Sequence, residues 1–202
     1  MRPLQRRHRA DDPAPAADAA RHRGTALRRT AIDAFATPRL TLRPFTLDDA
    51  PFIVELLNDP GWLRFIGDRG VRTEDDARGY LRERVLAHEA EHGFALRMVA
   101  LHEGTPIGMC GLIRRDALPD VDLGYAFLPG YRGRGFAREA AAAWLAHGFG
   151  TLGLRRIVAF TDPANVASRR VLEAIGMRFE KRFRIEGYED DSLLYAATEE
   201  HR

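Results

Sequence analysis

The sequence predicts an α+β domain, and three observations carry that prediction. Residues 94–101 and 106–114 are apolar segments joined by a short polar turn, which is typical of an antiparallel hairpin. A third apolar strand, residues 121–128, leads into a glycine-rich turn at 132–135 and then into an alanine-rich helix over 136–149. Strands and helices thus follow one another in blocks, as they do in α+β proteins.

The chain before the hairpin predicts one strand and two helices. Leu40 and Leu42 alternate with polar residues, as in a half-buried strand. Thr46 is a candidate N-cap for a helix that ends at Asn58, and Thr73 begins a second helix that ends near Glu91. The aromatic segment between these two helices is predicted to be a loop.

The chain after the alanine-rich helix predicts one strand, one helix and two closing strands. Residues 155–161 contain a short apolar run of the buried-strand kind. A helix is expected after Asp162, and it ends at Gly176, which supplies a left-handed cap. Residues 177–184 and 192–196 are the last two predicted strands.

Length and composition predict one globular domain with an extension at each end. The chain has 202 residues, of which 45% are hydrophobic and 30% charged, enough to build a sizeable core. Residues 1–36 mix arginine, alanine, aspartate and proline without periodicity, so we expect a disordered extension there. The folded domain is expected at 37–197, followed by a tail at 198–202.

The charge distribution argues against a nucleic-acid partner. The formal net charge of the whole chain is +2. Residues 1–36 hold eight arginines against four aspartates, a net of +4 that leaves −2 for the remainder. The extension also lacks aromatic residues interleaved with its arginines, as an RNA-binding arm would have.

The sequence lacks the patterns that are typical of membrane, secreted and metal-binding proteins. No apolar run approaches the roughly 18 residues of a membrane span, and the N-terminus lacks a secretory signal, so we expect no membrane association and a cytoplasmic protein. The single cysteine, Cys110, lies in an apolar strand and is expected to be a buried structural thiol. The seven histidines show no ligand spacing, so no metal is expected.

The turn at 132–135 is the candidate binding site. The first four N–H groups of a helix lack intrahelical partners and favour an anion, Gly133 and Gly135 permit close approach, and Arg132 and Arg134 add positive charge. A P-loop is excluded because Gly135 is not followed by lysine. A dinucleotide-binding turn is disfavoured because Arg138 replaces its third glycine.

Three segments together resemble the GNAT superfamily of acetyl-CoA-dependent N-acetyltransferases, within it the branch that acetylates N-termini of ribosomal proteins. They are Leu40-Thr-Leu-Arg-Pro, the stretch from Leu123 to Ala137, and the stretch from Asn165 to Met177. One departure is Arg132, where this branch often has tryptophan. The resemblance implies a GNAT-like mixed, mostly antiparallel sheet flanked by about four helices.

The resemblance also implies acetyl-CoA as co-substrate and a set of residues that contact it. The diphosphate would bind the N–H groups of the turn, and the pantetheine arm would pair with the strand that precedes it. Asn165 would contact the cofactor and Ser168 would lie near its sulfur. The implied cofactor-binding residues are Phe127, Leu128, Arg132, Gly133, Arg134, Gly135, Phe136, Ala137, Asn165 and Ser168.

Direct transfer of acetyl to an amine needs a base, an oxyanion donor and a proton for the leaving thiolate. Asp122 is the candidate base; the alternative is a solvated acid at the strand edge. The expected oxyanion donor is a backbone N–H near Phe127 or Leu128. Ser168 is the candidate acid, or else it only bonds the backbone in the first turn of its helix.

The acceptor is expected to be a primary amine, either a protein N-terminus or a small molecule. By the resemblance, Trp62, Arg64, Phe65 and Tyr188 flank the acceptor cleft, although Trp62 and Phe65 are equally compatible with core packing, and Arg64 with an ion pair to Asp68. An acyl-CoA-binding or sensing module without catalysis is the alternative function. The final strands are a possible homodimer contact.

Overall fold

A single eight-stranded sheet organises the part of the chain that the computed structural model describes, residues 34–185 and 191–199. Its order is β1-β2-β3-β4-β5-β6-β8-β7, and every neighbouring pair is antiparallel except β5 and β6. The predicted mixed, mostly antiparallel sheet is therefore confirmed. The strands are β1 Phe35–Ala36, β2 Leu40–Arg43, β3 Leu96–Leu101, β4 Pro106–Ile113, β5 Val121–Phe127, β6 Arg156–Thr161, β7 Arg178–Phe183 and β8 Ser192–Thr198.

The helices differ from the prediction at one place. A helix begins at Pro60 in the segment predicted to be a loop, because the Asp59 carboxylate accepts the Trp62 N–H at 3.0 Å and caps it. This added helix brings the number that flank the sheet to about five rather than four. The helix after Thr73 counts once, because it is continuous through a π-helical segment. They are α1 Ala50–Leu57, α2 Pro60–Phe65, α3 Glu74–Tyr80 with its continuation α4 Ala87–His92, α5 Phe136–Gly150 and α6 Val166–Ala174.

Helices cover both faces of the sheet, and each face has its own apolar core. On one face, α5 buries Trp144 completely against β-strand residues that include Cys110. On the other, α1 and α3 pack with Met109, the neighbour of Cys110 in β4. Because successive strand residues point to opposite faces, one central strand serves both cores. The expected burial of the Cys110 thiol is confirmed, and burial raises its pKa.

The ends of the domain lie slightly outside the predicted limits. Phe35 and Ala36, assigned to the extension, pair with Leu42 and Thr41 in the sheet. The Phe35 ring also meets Trp144 edge to face, with ring centroids 5.2 Å apart, which ties this short strand to the core. Strand β8 continues to Thr198. None of the helices within the described residues has the length and apolarity needed to cross a membrane.

The feature that positions the site is a gap between β5 and β6. These parallel strands are in register only at Val121 with Ile157 and at Asp122 with Val158. Beyond those pairs β5 continues to pair with β4, and β6 pairs along its length with β8. The two strands therefore diverge, and the second half of β5 presents one edge to a cleft.

Candidate active site

A cleft of about 1000 Å³ runs along the diverging edges of β5 and β6. Strand β5 forms its floor, and α2, the turn before α5 and the start of α6 form its walls. It brings together most of the residues predicted from the sequence. The predicted residues in its lining are Trp62, Arg64, Phe65, Asp122, Phe127, Arg132, Gly133, Gly135, Phe136, Ala137, Asn165 and Ser168.

Three predicted site residues are not in this lining. Leu128 is buried beside the end of β5. Arg134 is exposed, and its guanidinium carbon lies 5.9 Å from the centre of the Tyr131 ring and 5.5 Å from that of Phe136. Tyr188 lies outside the described residues, so its place in the acceptor cleft stays a prediction.

The backbone of β5 decides which of Phe127 and Leu128 faces the cleft. The Leu128 N–H donates to the Ile107 carbonyl at 3.0 Å, and the Leu128 carbonyl accepts from the Tyr131 N–H at 3.0 Å. Both groups of Leu128 are therefore used within the fold. Because backbone groups alternate along a strand, the N–H of Phe127 points to the opposite edge, toward the cleft.

The turn before α5 has a left-handed backbone at two glycines. Gly133 has φ 72° and Gly135 has φ 82°, conformations that favour glycine. Gly135 is the N-cap of α5, because its carbonyl accepts the Glu139 N–H at 3.1 Å. The N–H groups at the start of this helix thus lie at the cleft, where Phe136 and Ala137 form part of the wall.

The Arg132 side chain, which was expected to add positive charge near the diphosphate, is engaged with β5 and α2. Its Nε donates to the Phe127 carbonyl at 2.8 Å, and its Nη2 pairs with the carboxylate of Asp59. Asp59 is buried and also caps α2. Arg132 thereby links the end of β5 to the helix that carries Trp62, and sequence reasoning missed this link because Asp59 is 73 residues away.

Asp122 is buried at the point where β5 and β6 begin to diverge. Only 2% of its surface is exposed, so the alternative of a solvated acid at the strand edge is wrong. Its Oδ2 accepts from Arg115 Nε at 2.7 Å, and within the described residues Oδ1 has no hydrogen-bond partner. Burial raises the pKa of Asp122 above its usual value, although the charge and hydrogen bond of Arg115 oppose that rise.

Sequence reasoning missed Arg115 as the partner of Asp122. It follows β4 in the loop that precedes β5, and its guanidinium carbon also lies 5.2 Å from the centre of the Phe160 ring. Two consecutive arginines after a strand indicate positive charge at this position. They do not indicate which carboxylate pairs with them. The antiparallel pairing of β4 with β5 brings the two residues together.

A pair of hydroxyl groups lies on the other face of β5. Tyr125 Oη is 2.9 Å from Ser168 Oγ, at the start of α6. Asn165 caps this helix, because its side-chain oxygen accepts the Ser168 N–H at 3.0 Å. Burial raises the pKa of Tyr125, so its hydroxyl is protonated near neutral pH. Sequence reasoning treated Tyr125 only as an alternating strand residue.

The acceptor side of the cleft is formed by α2 and the loop after it. Trp62 belongs to the core and donates its indole N–H to the Gly67 carbonyl at 3.0 Å, yet it also lines the cleft. The Arg64 guanidinium lies over the Phe65 ring, 4.9 Å from its centre. The ion pair considered between Arg64 and Asp68 is wrong, because Asp68 pairs with Arg72, four residues along the same loop.

No cluster of three or more histidine, cysteine or acidic side chains suited to a metal ion occurs in residues 34–185 and 191–199. The cleft is instead built from backbone N–H groups, one buried carboxylate and two hydroxyls. These groups can hold an anion, accept a proton and donate one, which are the requirements of acyl transfer.

Residues 39–178 match the family described as the acetyltransferase (GNAT) domain. The chain belongs to the GNAT acetyltransferase family. It is therefore an enzyme of the acetyl-CoA-dependent N-acyltransferase class, as the sequence predicted. A relative from Bacillus subtilis (strain 168), the uncharacterized N-acetyltransferase YnaD, is 31% identical over 148 residues, which cover 73% of this chain and 84% of YnaD.

Several solved structures share the fold of this chain. An acetyltransferase from Agrobacterium tumefaciens str. C58 is 29% identical with a TM-score of 0.72, covering 84% of this chain and 96% of that one. Mycobacterium smegmatis RimJ in complex with CoA-disulfide is 27% identical with a TM-score of 0.65, covering 80% and 82%. The ribosomal-protein-S5-alanine acetyltransferase from Vibrio fischeri, at 22% identity and TM-score 0.70 over 84% and 98%, shows the fold alone.

Proposed function

We propose that this GNAT protein moves acetyl directly from acetyl-CoA to a primary amine in the cleft beside β5. The observation that carries the proposal is the divergence of β5 and β6 next to the glycine turn at the start of α5. The edge of β5 that β6 leaves after Asp122 suits the amide groups of a pantetheine arm, as an added strand would. The N–H groups from Gly133 to Ala137 suit a diphosphate.

The Phe127 N–H is the oxyanion donor in this proposal. Of the two candidates, the Leu128 N–H is engaged with the Ile107 carbonyl, whereas that of Phe127 faces the cleft. A backbone donor that is already oriented stabilises negative charge on the thioester oxygen as the amine attacks. It does so without reorganisation, because β5 is held along its other edge by β4.

Asp122 is the base in this proposal and accepts the proton of the attacking amine, directly or through a water molecule. Its burial raises its pKa, which makes the carboxylate a better proton acceptor than an exposed aspartate. By strand alternation Asp122 faces the side of the sheet that carries α1 and α3, and Trp62 of the acceptor wall belongs to the core on that side.

Ser168 is the acid in this proposal: as the C–S bond breaks, its hydroxyl gives a proton to the departing thiolate. Ser168 then regains a proton from water in the cleft, and Asp122 returns the proton taken from the amine to solvent. Tyr125 lies in the core on the α5 side, opposite to the face of Asp122, and its hydroxyl is hydrogen-bonded to Ser168. Base and acid therefore approach the edge of β5 from opposite faces. This arrangement separates the amine that loses a proton from the sulfur that gains one.

The acceptor is either a protein N-terminus or a small-molecule amine, and one experiment distinguishes them. Release of CoA thiol from acetyl-CoA is measured with a thiol reagent across a panel of N-terminal peptides and free amines. Cys110 does not interfere because it is buried. Turnover on peptides supports a protein acceptor, and turnover on free amines alone supports a small molecule.

The alternative is acyl-CoA binding without catalysis, and the same panel addresses it. Tight binding of acetyl-CoA with no thiol release for any amine would favour that alternative. Failure of the protein to bind acetyl-CoA at all would overturn both. The Asp122→Asn variant is the control for binding without turnover. It should still bind acetyl-CoA, because it alters the proposed base but none of the groups proposed to hold the diphosphate.

A further inference from the structure

Arg39, in the turn between β1 and β2, contacts the glycine turn at 132–135 and the start of α5. Its Nε donates to Glu139 Oε2 at 2.6 Å, and its backbone N–H donates to Glu139 Oε1 at 2.8 Å. Its Nη1 donates to the Arg134 carbonyl at 3.0 Å, and its guanidinium carbon lies 4.5 Å from the centre of the Phe136 ring. Three contacts of the side chain and one of the backbone thus fix Arg39 against the start of α5.

The contact with the Arg134 carbonyl sets the direction of the next N–H group. A trans peptide is planar, and its C=O and N–H point in opposite directions. The peptide that joins Arg134 to Gly135 therefore directs the Gly135 N–H away from Arg39. Gly135 lines the cleft and Arg39 does not, so this N–H is turned toward the proposed diphosphate site.

The charge of Arg39 is compensated where it stands. Glu139 also accepts from Thr37 Oγ1 at 2.6 Å, and its side chain is 15% exposed. Although burial opposes ionisation, the hydrogen bonds from Thr37 and Arg39 hold the pKa of Glu139 below its usual value. Arg39 and Glu139 together carry no net charge near the turn. Arg39 therefore contributes to anion binding by orienting the Gly135 N–H and not by adding positive charge.

We propose that Arg39 is a positioning residue for the proposed diphosphate turn, acting through the Arg134–Gly135 peptide rather than by contact with the cofactor. The inference rests on the proposed function, because it assumes that the diphosphate binds there. It adds a residue from the first strand pair of the domain to a turn whose contacting residue, Arg134, lies 95 residues later in the chain.

The test compares the dissociation constants of CoA, 3′-dephospho-CoA and pantetheine for the wild-type protein and Arg39→Gln. Loss of one charge-assisted hydrogen bond that orients the turn predicts about 10-fold weaker binding of CoA. The same factor is expected for 3′-dephospho-CoA, which keeps the diphosphate. Pantetheine, which lacks it, is expected to bind both proteins equally in a ligand-observed NMR titration.

A matched control is Arg43→Gln, which removes an arginine that makes two hydrogen bonds to Asp49 and one to the Pro44 carbonyl, away from the turn. It should leave CoA binding unchanged. Circular dichroism checks that both variants are folded. Equal weakening of pantetheine by Arg39→Gln would overturn the proposal in favour of a general structural role.

Two other results would also overturn it. If the penalty vanishes with 3′-dephospho-CoA, Arg39 contacts the 3′-phosphate directly. If adding Glu139→Gln to Arg39→Gln restores the affinity, Arg39 acts only by compensating the Glu139 charge. Failure of the wild-type protein to bind CoA would instead refute the proposed function, so the two failures are distinguishable.

Discussion

Replacing Asp122 by asparagine removes the proposed base while keeping its shape. Removal of a positioned general base lowers the rate by about 10²- to 10⁴-fold, which corresponds to about 2.7–5.4 kcal/mol of transition-state stabilisation. The loss should appear in kcat, because none of the groups proposed to hold the donor is altered. The assay is thiol release from acetyl-CoA over a range of pH, with an acceptor found in the panel.

The pH dependence of kcat/KM tests the role of Asp122 more directly than the size of the rate loss does. The wild-type kcat/KM should fall as the pH drops through the raised pKa of Asp122, because the base must be ionised. Arg115 lowers that pKa, so Arg115→Gln should raise it and move this acidic limb to higher pH. A limb that arises from the amine of the acceptor should stay in place. An unchanged pH profile in Asp122→Asn would remove Asp122 as the base.

Loss of activity in Asp122→Asn should not come from unfolding. A raised carboxyl pKa means that this group stabilises the fold most below the usual aspartate pKa, and that its contribution is lost as the pH rises through the raised value. At neutral pH the ionised form is therefore the less favourable one, and asparagine mimics the protonated form. We expect the unfolding free energy to change by no more than about 1 kcal/mol, measured in urea.

Three further predictions concern the turn, the acid and the link to α2. Gly135→Ala should raise the Kd of CoA about 10-fold, because an L-residue at φ 82° costs about 1–2 kcal/mol and its Cβ would lie 3.3 Å from Arg39. Gly130→Ala is the control and should have no effect, because a Cβ at that position meets nothing within 4 Å. Ser168→Ala should lower kcat about 100-fold if its hydroxyl protonates the thiolate. Arg132→Met should destabilise the fold to urea by about 1–3 kcal/mol, because it leaves the Asp59 carboxylate buried without its cation, and Asp59→Asn in the same chain should recover most of that loss.

Each of these predictions has a result that would contradict it. Equal affinity of Gly135→Ala and Gly130→Ala for CoA would mean that the left-handed backbone of the turn is not needed for binding. An unaltered turnover of Ser168→Ala would dismiss its role as the acid. Additive effects of Arg132→Met and Asp59→Asn on stability would show that the two residues are not coupled.

Much of the fold could be predicted because strands and caps are encoded locally. Alternating apolar residues in the strands 106–113 and 121–127, and the glycines around 133–135, leave patterns that need no tertiary information. The short helix α2 was missed because Asp59-Pro-Gly is equally typical of a turn. Its capping by Asp59, which is buried and paired with Arg132, stabilises the helical alternative.

The candidate site was predicted in part, and the reason lies in how its members are connected. Asp122 was named from its place in a strand and Ser168 from the family resemblance, but their environments depend on residues elsewhere in the chain. Arg115 reaches Asp122 because β4 and β5 are antiparallel, and Tyr125 reaches Ser168 because α6 packs beside β5. A motif specifies a residue, whereas burial and partners specify its pKa.

By itself the sequence determined the order of the strands and helices apart from the short elements β1 and α2, the position of the glycine turn and the family to which the chain belongs. Those properties follow from neighbours in the chain, whose spacing is visible in the sequence. Only the tertiary structure decided that Arg132 turns to Asp59 and that Arg39 clasps the turn, because these partners lie 73 and about 100 residues apart. A guanidinium can satisfy many carboxylates and carbonyls, and only packing selects which of them it meets.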